Sequence, residues 1–319
     1  MKNLLTDIPG VKVGHADDGR LASGVTAILF DKPAVAAIDV RGGGPGTREE
    51  AALRPESTVE TVDGIALSGG SALGLDSAGG VQAWLAEQGR GLRIRDALIP
   101  IVPGAICFDL LNGGDKRWGR FPPYRDLGYA AAAAAGSDFA LGSAGAGMGA
   151  TTANFKGGLG SASAKTSTGA LVAAIVAVNA VGSVTVGDGP WFWAAPFEVG
   201  GEFGGRGLPA SFTPDMLAMR LKGGPAASSV ENTTIAVIVT DATLTKAQAK
   251  RLAMIAQTGM ARAIYPVHAP LDGDTVFAAA TGEKAVDPVY GLTEHAAGDG
   301  ARTALPRRVA GLEGQVRLV

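Results

Sequence analysis

A threonine stands at the junction between two very different segments of this chain. Residues 199–232 are rich in glycine, proline and serine, and their end, residues 223–229, resembles an exposed tether. The next residues, 233–240, form a β-branched run typical of a strand. A cut between Asn232 and Thr233 would give the threonine a free amine, which can act as the base for its own hydroxyl without a histidine. The junction therefore predicts either a self-made nucleophile or an ordinary Asn-Thr turn that begins a strand.

Self-cleavage of this kind places a requirement on the residue before the threonine. The hydroxyl attacks the preceding carbonyl, the peptide rearranges to an ester, and water releases the new terminus. A strained and exposed residue favours that rearrangement. Because Asn232 ends the loosest part of the chain, we expect it to be exposed.

Three further polar features could support such chemistry, and each has a structural alternative. Asp272-Gly273-Asp274 could be a carboxylate pair, a turn or half of a cation site. If extended, its two carboxylates point to one side, where each raises the proton affinity of the other. Asn179 lies in an apolar run and must find partners, as a structural bridge or as a polarising donor. Lys156, among glycines, could be a solvated charge or a site residue.

Composition excludes several classes of function. The 319 residues are 46% apolar and 18% charged, with 48 glycines, which favours one compact α/β body built from small side chains. Lys plus Arg total 28 against 30 for Asp plus Glu, and no basic cluster stands out. Nucleic-acid binding is therefore not expected, because it needs a concentrated positive surface. The expected partner is a small molecule.

No cofactor, metal or membrane association is expected. The glycine-rich run at residues 69–74 lacks the Gly-Lys-Ser/Thr ending of a P-loop. Cys107 is the only cysteine, and the three histidines have no metal-ligand spacing; His268 is interpreted as a structural or rim residue. The most apolar run, residues 170–178, is too short to span a bilayer, and no export signal is visible. A cytoplasmic location is expected.

The pattern of apolar runs and glycines predicts an alternation of strands and helices. Thr245 and Gln248 form a capping box, which predicts a helix that runs to about Gln257. A long loop that could border a site is expected at residues 112–128. Strands are predicted at 24–30, 35–40, 64–67 and 233–240, and helices at 72–87 and from 129 onward.

Several long motifs in one order resemble the self-processing aminopeptidase and esterase family, and within it the nylon-oligomer hydrolase branch. The motifs are residues 231–237, 240–242, 270–275, 69–76 and 145–163, so the resemblance covers nearly the whole chain. It implies a layered αββα sandwich of the N-terminal nucleophile type, with two stacked sheets between helices. It also implies a single catalytic domain, 1–319, self-cleaved into fragments 1–232 and 233–319 that stay together.

The resemblance implies a role for each candidate residue. Thr233 matches the nucleophile, and Asp272 and Asp274 match the carboxylates that orient its hydroxyl and amine. Lys156 matches an active-site lysine, and Asn179 matches an asparagine whose amide helps to stabilise the oxyanion. Members with a serine nucleophile carry Ser-x-Glu where this chain has Asp-x-Asp, which favours the nylon-hydrolase branch.

The expected activity is hydrolysis of linear amides, either 6-aminohexanoate oligomers or related peptides, through an acyl-enzyme on Thr233. An aminopeptidase or β-peptidase of the same family, which needs a free substrate amine, is the alternative nearest to it. A self-cleaving acetyltransferase of arginine biosynthesis matches the motifs less well, and a non-cleaving scaffold protein is a third alternative. The composition and the aromatic run Trp191-Phe192-Trp193 also favour a homo-oligomer, expected as a tetramer of processed pairs.

Overall fold

The computed structural model describes residues 1–223 and 232–287. Within those ranges the α-helices are α1 (Ser77–Glu87), α2 (Tyr124–Ala133) and α3 (Lys246–Ala263). The strands are β1 (Val11–Asp18), β2 (Ser23–Val40), β3 (Thr47–Arg48), β4 (Thr61–Ser68), β5 (Leu92–Ile94), β6 (Ala97–Ile99), β7 (Gly104–Ile106), β8 (Gly158–Lys165), β9 (Leu171–Val178), β10 (Ile235–Ala242) and β11 (Thr275–Lys284).

Hydrogen bonds join nine of these strands into one continuous sheet. Its order is β3-β7-β4-β2-β11-β10-β9-β8, and β1 pairs with β2 outside this path. Strand β10 runs parallel to β11 and antiparallel to β9. The segments before β10 and β11 and the segment after β9 therefore meet at one edge of the sheet.

Side-chain alternation along the strands shows that the sheet folds over itself. In β9, Val172, Ala174 and Val176 pack with helix α3, whereas the residues between them join an inner apolar cluster. That inner cluster also contains residues of β1, the first half of β2 and β4. The opposite face of those strands packs against α1 and α2. The layers are therefore helix, sheet, sheet and helices, which confirms the expected αββα sandwich.

Strand β2 corrects the prediction of two separate strands at 24–30 and 35–40. Residues 31–33 (Asp31, Lys32 and Pro33) are exposed, and the pairing with β4 shifts between Leu29 and Ala34. Beyond that point residues 35–40 pair with β11. The polar interruption marks the place where one strand passes from the first sheet layer to the second, rather than the end of a strand.

The helix boundaries differ from the prediction at both early helices. A 3-10 turn, Ser71–Asp76, precedes α1, so the α-helix begins at Ser77. Helix α2 begins at Tyr124 rather than 129, because the Tyr124 ring is fully buried and holds the first turn against the core. The expected loop at 112–128 is correspondingly shorter.

The predicted capping box is present at the start of α3. The Thr245 hydroxyl accepts from the Gln248 N–H at 3.3 Å, and Gln248 Oε1 accepts from the Thr245 N–H at 2.8 Å. The helix continues past Gln257 to Ala263, since its apolar face remains in contact with the sheet. A bilayer-crossing helix needs ~20 apolar residues, and no helix in the described ranges combines that length with enough apolarity.

Candidate active site

The candidate nucleophile lies just ahead of strand β10, at the edge where three segments of the sheet meet. Thr233 donates its backbone N–H to the Asn179 carbonyl, directly after β9, at 2.9 Å. The Thr234 carbonyl accepts from the Thr275 N–H of β11 at 3.0 Å. The sequence predicted that Thr233 and Thr234 belong to the strand, but β10 begins at Ile235. Hydrogen bonds to the segment after β9 and to β11 nevertheless fix the backbone of both threonines. The earlier part of the predicted tether, residues 224–229, lies outside the described residues.

The hydroxyl of Thr233 contacts the peptide bond that precedes it, because Oγ1 donates a hydrogen bond to the Asn232 carbonyl. Both residues are only 2% exposed, so the expectation of an exposed Asn232 is wrong. The loose segment before Asn232 suggested an exposed residue, but the fold buries it. The candidate nucleophile and the carbonyl of the bond that it would cut are thus buried together.

Asp274 holds the backbone on both sides of the site. Its Oδ1 accepts from the Thr234 N–H at 2.9 Å, and its Oδ2 accepts from the His268 N–H at 2.9 Å. The ring Nδ1 of His268 lies 2.9 Å from the same Oδ2. Asp274 is fully buried, and these contacts occupy both of its oxygens. Its carboxylate therefore anchors the loop before β11 to the residue after Thr233, and His268 belongs to the site.

Asp272 differs from Asp274 in the hydrogen bonding of its carboxylate. It is fully buried, and among the described residues neither carboxylate oxygen has a hydrogen-bond partner. Burial and the nearby charge of Asp274 raise the pKa of Asp272 to about 8. The Val181 amide and the Lys222 ammonium lower this pKa, although the Val181 N–H lies outside the geometry of a hydrogen bond. Asp272 is therefore the carboxylate of the pair whose oxygens remain available for proton transfer.

Glycines allow the Asp272–Asp274 loop to approach its neighbours. Gly44 donates its N–H to the Asp272 carbonyl at 2.8 Å, and Arg41 donates to the Asp274 carbonyl at 2.9 Å. A Cβ at position 273 would lie 2.6 Å from Thr233 Oγ1, which is closer than real Cβ contacts. Gly273 thus packs its backbone directly on the threonine hydroxyl, with one aspartate on either side.

The side chain of Asn179 is fully buried and held at both ends. Its Nδ2 donates to the Phe108 carbonyl at 2.9 Å. Its Oδ1 accepts from the Thr151 N–H and from Lys222 Nζ, each at 3.0 Å. Asn179 therefore meets Thr233 through its backbone carbonyl and is also a structural bridge among three segments.

Two lysines near this asparagine make different contacts. Lys156 Nζ donates to the Met148 carbonyl at 2.9 Å, and burial alone lowers the pKa of the ammonium. Lys156 is connected to the site through its bridge partner Thr151, which donates to Asn179. Lys222 instead contacts Asn179 directly and acts on the pKa of Asp272. Lys222 is a cation of the site that the sequence motifs did not identify.

Only a weak sequence signal could have identified Lys222 and His268 as site residues. Lys222 stands immediately before the glycine-rich tether, and His268 precedes Asp274 by one turn-forming stretch. The partner of Lys222, Asn179, lies 43 residues away in sequence. The partner of His268, Asp274, is only six residues away, but the loop conformation is what brings the two together. Residue type and spacing therefore do not place either side chain.

Thr233 is buried, and the described residues around it form no metal site. No group of three or more His, Cys, Asp or Glu side chains in the described part of the chain is arranged to hold a metal ion. A cavity of about 720 Å³ opens elsewhere, between the N-terminal segment and residues 139–141, and its lining includes none of the candidate residues. That cavity is therefore separate from the candidate site.

Comparison with known proteins yields consistent similarities over most of the chain. The family model described as peptidase family S58 matches residues 3–309. An uncharacterized aminopeptidase of Mycobacterium tuberculosis is 44% identical over 298 residues, which cover 91% of this chain and 85% of the relative. A 6-aminohexanoate-oligomer endohydrolase of a Kocuria species is 29% identical over 289 residues, covering 88% of this chain and 76% of the relative.

Two solved structures share the fold. A Burkholderia β-aminopeptidase aligns with a TM-score of 0.67 at 24% identity, covering 97% of this chain and 87% of its own. The L-aminopeptidase D-Ala-esterase/amidase of Ochrobactrum anthropi, described as a variant of the N-terminal nucleophile hydrolase fold, aligns with a TM-score of 0.67 at 20% identity. That alignment covers 97% of this chain and 86% of the other.

Proposed function

Because the chain belongs to peptidase family S58 and is a hydrolase of amide bonds, we propose that it matures by cutting its own backbone between Asn232 and Thr233. The observation that carries the proposal is the hydrogen bond from Thr233 Oγ1 to the Asn232 carbonyl inside a buried site. In that arrangement the hydroxyl lies beside the one carbonyl that it must attack. The products are fragments 1–232 and 233–319 of a single catalytic domain.

The proposed cleavage is an N-to-O acyl shift followed by hydrolysis. Thr233 Oγ1 loses its proton and bonds to the Asn232 carbonyl carbon, and the bond from that carbon to the Thr233 nitrogen breaks as the nitrogen takes up a proton. Water then hydrolyses the ester, which leaves the Asn232 carboxylate and the free hydroxyl and amine of Thr233. Asp272, whose carboxylate has no hydrogen-bond partner among the described residues, is a candidate for the proton carrier, since the Thr233 nitrogen is still an amide.

Turnover of substrate repeats the same chemistry with a different base. After the cut, the Thr233 amine can take the hydroxyl proton, the hydroxyl attacks a substrate amide, and water clears the acyl-enzyme. The Asn179 carbonyl already accepts the N–H of that nitrogen, which supports its role in holding the amine. Oxyanion stabilisation by the Asn179 amide and a substrate-side role for Lys156 stay proposals that rest on the family motif.

Two substrate classes are compatible with this chemistry. The identity of 44% to a relative named as an aminopeptidase favours linear peptides with a free amino end. The Asp-x-Asp pair and the 29% identity to an endohydrolase favour 6-aminohexanoate oligomers cut internally. We propose linear amides as the substrate class and the free-amine peptides as its first members, because the first relative is the more similar.

The experiment compares wild type, Thr233→Ser and Thr233→Ala on three substrates: a dipeptide amide, its N-acetylated form and a 6-aminohexanoate oligomer. Released amine is measured while the fraction of cut chain is followed on a gel. We expect activity to rise in proportion to the cut fraction in wild type and Thr233→Ser, and to be absent in Thr233→Ala. Full activity of an uncut chain would contradict the proposal, and equal rates on the free and acetylated dipeptides would favour the endohydrolase specificity.

A further inference from the structure

Lys222 is fixed beside the site by its backbone and by its side chain. Its N–H donates to the Val181 carbonyl at 2.8 Å, and its Nζ donates to Asn179 Oδ1 at 3.0 Å. The backbone carbonyl of Asn179 accepts the Thr233 N–H. A single asparagine therefore links the ammonium of Lys222 to the peptide nitrogen of the proposed cut.

Asp272 is the group that most needs a positive charge nearby. It has no hydrogen-bond partner among the described residues, whereas the described donors around Asp274 occupy both of that residue's oxygens. Among the described residues, the ionisable groups that interact with the pair are His268 in contact with Asp274, Lys222, and the buried Cys107, which Asp109 also affects. Lys222 supplies the positive charge that acts on Asp272, whereas the pKa of Lys156 responds to burial alone.

We propose that Lys222 is a positioning residue for self-cleavage, whose ammonium holds the Asn179 side chain beside the Thr233 amide and supplies positive charge to the buried Asp272 until the Thr233 amine exists. This inference rests on the proposed function above, which already makes Asp272 the proton acceptor in the first step of self-cleavage. In the uncut chain the Thr233 nitrogen is an amide and cannot accept the hydroxyl proton. The proton therefore passes from Thr233 Oγ1 to Asp272 in the chains in which Asp272 is ionised, a fraction that the Lys222 charge increases, and from there to the leaving nitrogen.

The need for Lys222 changes when the chain is cut. The new Thr233 amine places a second basic group at the same asparagine and serves as the base in turnover. Lys222 should therefore matter more for processing than for the later hydrolysis of substrate. A purely structural role would instead slow both reactions by a similar factor at every pH.

The test follows the rate of self-cleavage against pH for wild type, Lys222→Met and Lys222→Arg. The matched control is Lys165→Met, which removes an exposed lysine at the end of β8. We expect Lys222→Met to cut about ten-fold more slowly at neutral pH and to recover at alkaline pH, because the midpoint of its pH profile should rise by about 1 on the pH scale. Lys222→Arg and Lys165→Met should keep the wild-type midpoint.

A second measurement does not depend on processing. In the uncut Thr233→Ala background, the Asp272 carboxyl is titrated by carbon NMR with and without Lys222→Met. A higher pKa of Asp272 in the double variant supports the inference. An unchanged titration, or a Lys222→Met chain that cuts with the wild-type pH profile, would overturn it while leaving self-cleavage intact. A wild-type chain that never cuts would overturn the proposed function itself.

Discussion

Thr233 donates its backbone N–H to the Asn179 carbonyl at 2.9 Å, although the two residues are far apart in sequence; Thr233 lies just before β10 and Asn179 just after β9. The nitrogen that would become a free amine is therefore held before any bond is cut. The side chain of the same asparagine accepts a hydrogen bond from Lys222 Nζ. If the proposed cleavage occurs, the contacts that hold the Thr233 nitrogen are thus already present in the uncut chain.

The two aspartates should respond differently to removal of their charge. Asp272→Asn should slow self-cleavage by about 100-fold or more, because it removes a proton acceptor. Asp274→Asn should instead lower the free energy of unfolding by about 1–3 kcal/mol, since one carboxylate now receives the Thr234 and His268 donors. Processing is read from gels, and stability from urea unfolding in the Thr233→Ala background.

Equal processing defects with equal stability in the two variants would contradict this division of roles. Processing at the wild-type rate in both would mean that Asp272-Gly273-Asp274 is only a turn. The threonine would then lack its assigned proton acceptor.

The stability of the uncut chain should depend on pH through Asp272. Its pKa is raised to about 8 in the folded chain, from the ordinary value of 3.8. The folded state therefore binds more protons than the unfolded state between these values, so this group's stabilisation is fully present below about pH 4 and is lost as pH rises through 8. Urea unfolding of Thr233→Ala and Thr233→Ala/Asp272→Asn from pH 5 to 9 measures the difference.

We expect the stability of Thr233→Ala to fall relative to the double variant as pH rises. Parallel curves for the two proteins would show that Asp272 is ionised normally. That result would also remove the reason for a compensating charge at Lys222.

Gly273→Ala is a steric probe of the threonine hydroxyl. The added Cβ would lie 2.6 Å from Thr233 Oγ1, so one of the two must move by a few tenths of an ångström or more. Because a small displacement of a nucleophile slows its reaction strongly, processing should fall by about ten-fold or more. Gly282→Ala, at a position with open space in strand β11, is the control for stability; its own φ of 79° gives it some backbone strain. Unchanged processing in Gly273→Ala would show that the hydroxyl is not held against this loop.

The assembly state stays a prediction from the sequence, with one structural feature in its favour. Val199, Phe212 and Met219 are exposed large apolar side chains within one segment of the large fragment. We expect processed pairs to form a homo-oligomer, with a tetramer as the expected size. Light scattering at micromolar concentration should give a mass that is a multiple of 32.0 kDa. A mass of a single unit would contradict this expectation.

The sequence predicted features that depend on neighbouring residues better than features that depend on remote ones. The capping box at Thr245 and Gln248 appeared as expected, because its hydrogen bonds join residues three apart. The burial of Asn232 could not be predicted, since burial is set by the tertiary fold and not by the composition of the preceding segment. The contact of Lys222 with Asn179 also depends on the tertiary fold, because the two residues are far apart in sequence. His268 and Asp274 are close in sequence, but their contact depends on the conformation of the loop between them, which residue spacing does not specify. The sequence predicted two strands where the structure has the single strand β2, because the exposed residues 31–33 resemble a turn. They mark the change of layer instead.

The central claim is that the chain cuts itself at one bond, and the intact mass of the purified protein tests it most directly. Wild type should yield two masses corresponding to residues 1–232 and 233–319, with amino-terminal sequencing of the smaller beginning at Thr233. Thr233→Ala, purified in parallel, should remain a single chain of 32.0 kDa and so exclude a contaminating protease. A wild-type chain that keeps its full mass after long incubation, or a small fragment that begins at Thr234, would contradict the assignment of Thr233 as the nucleophile.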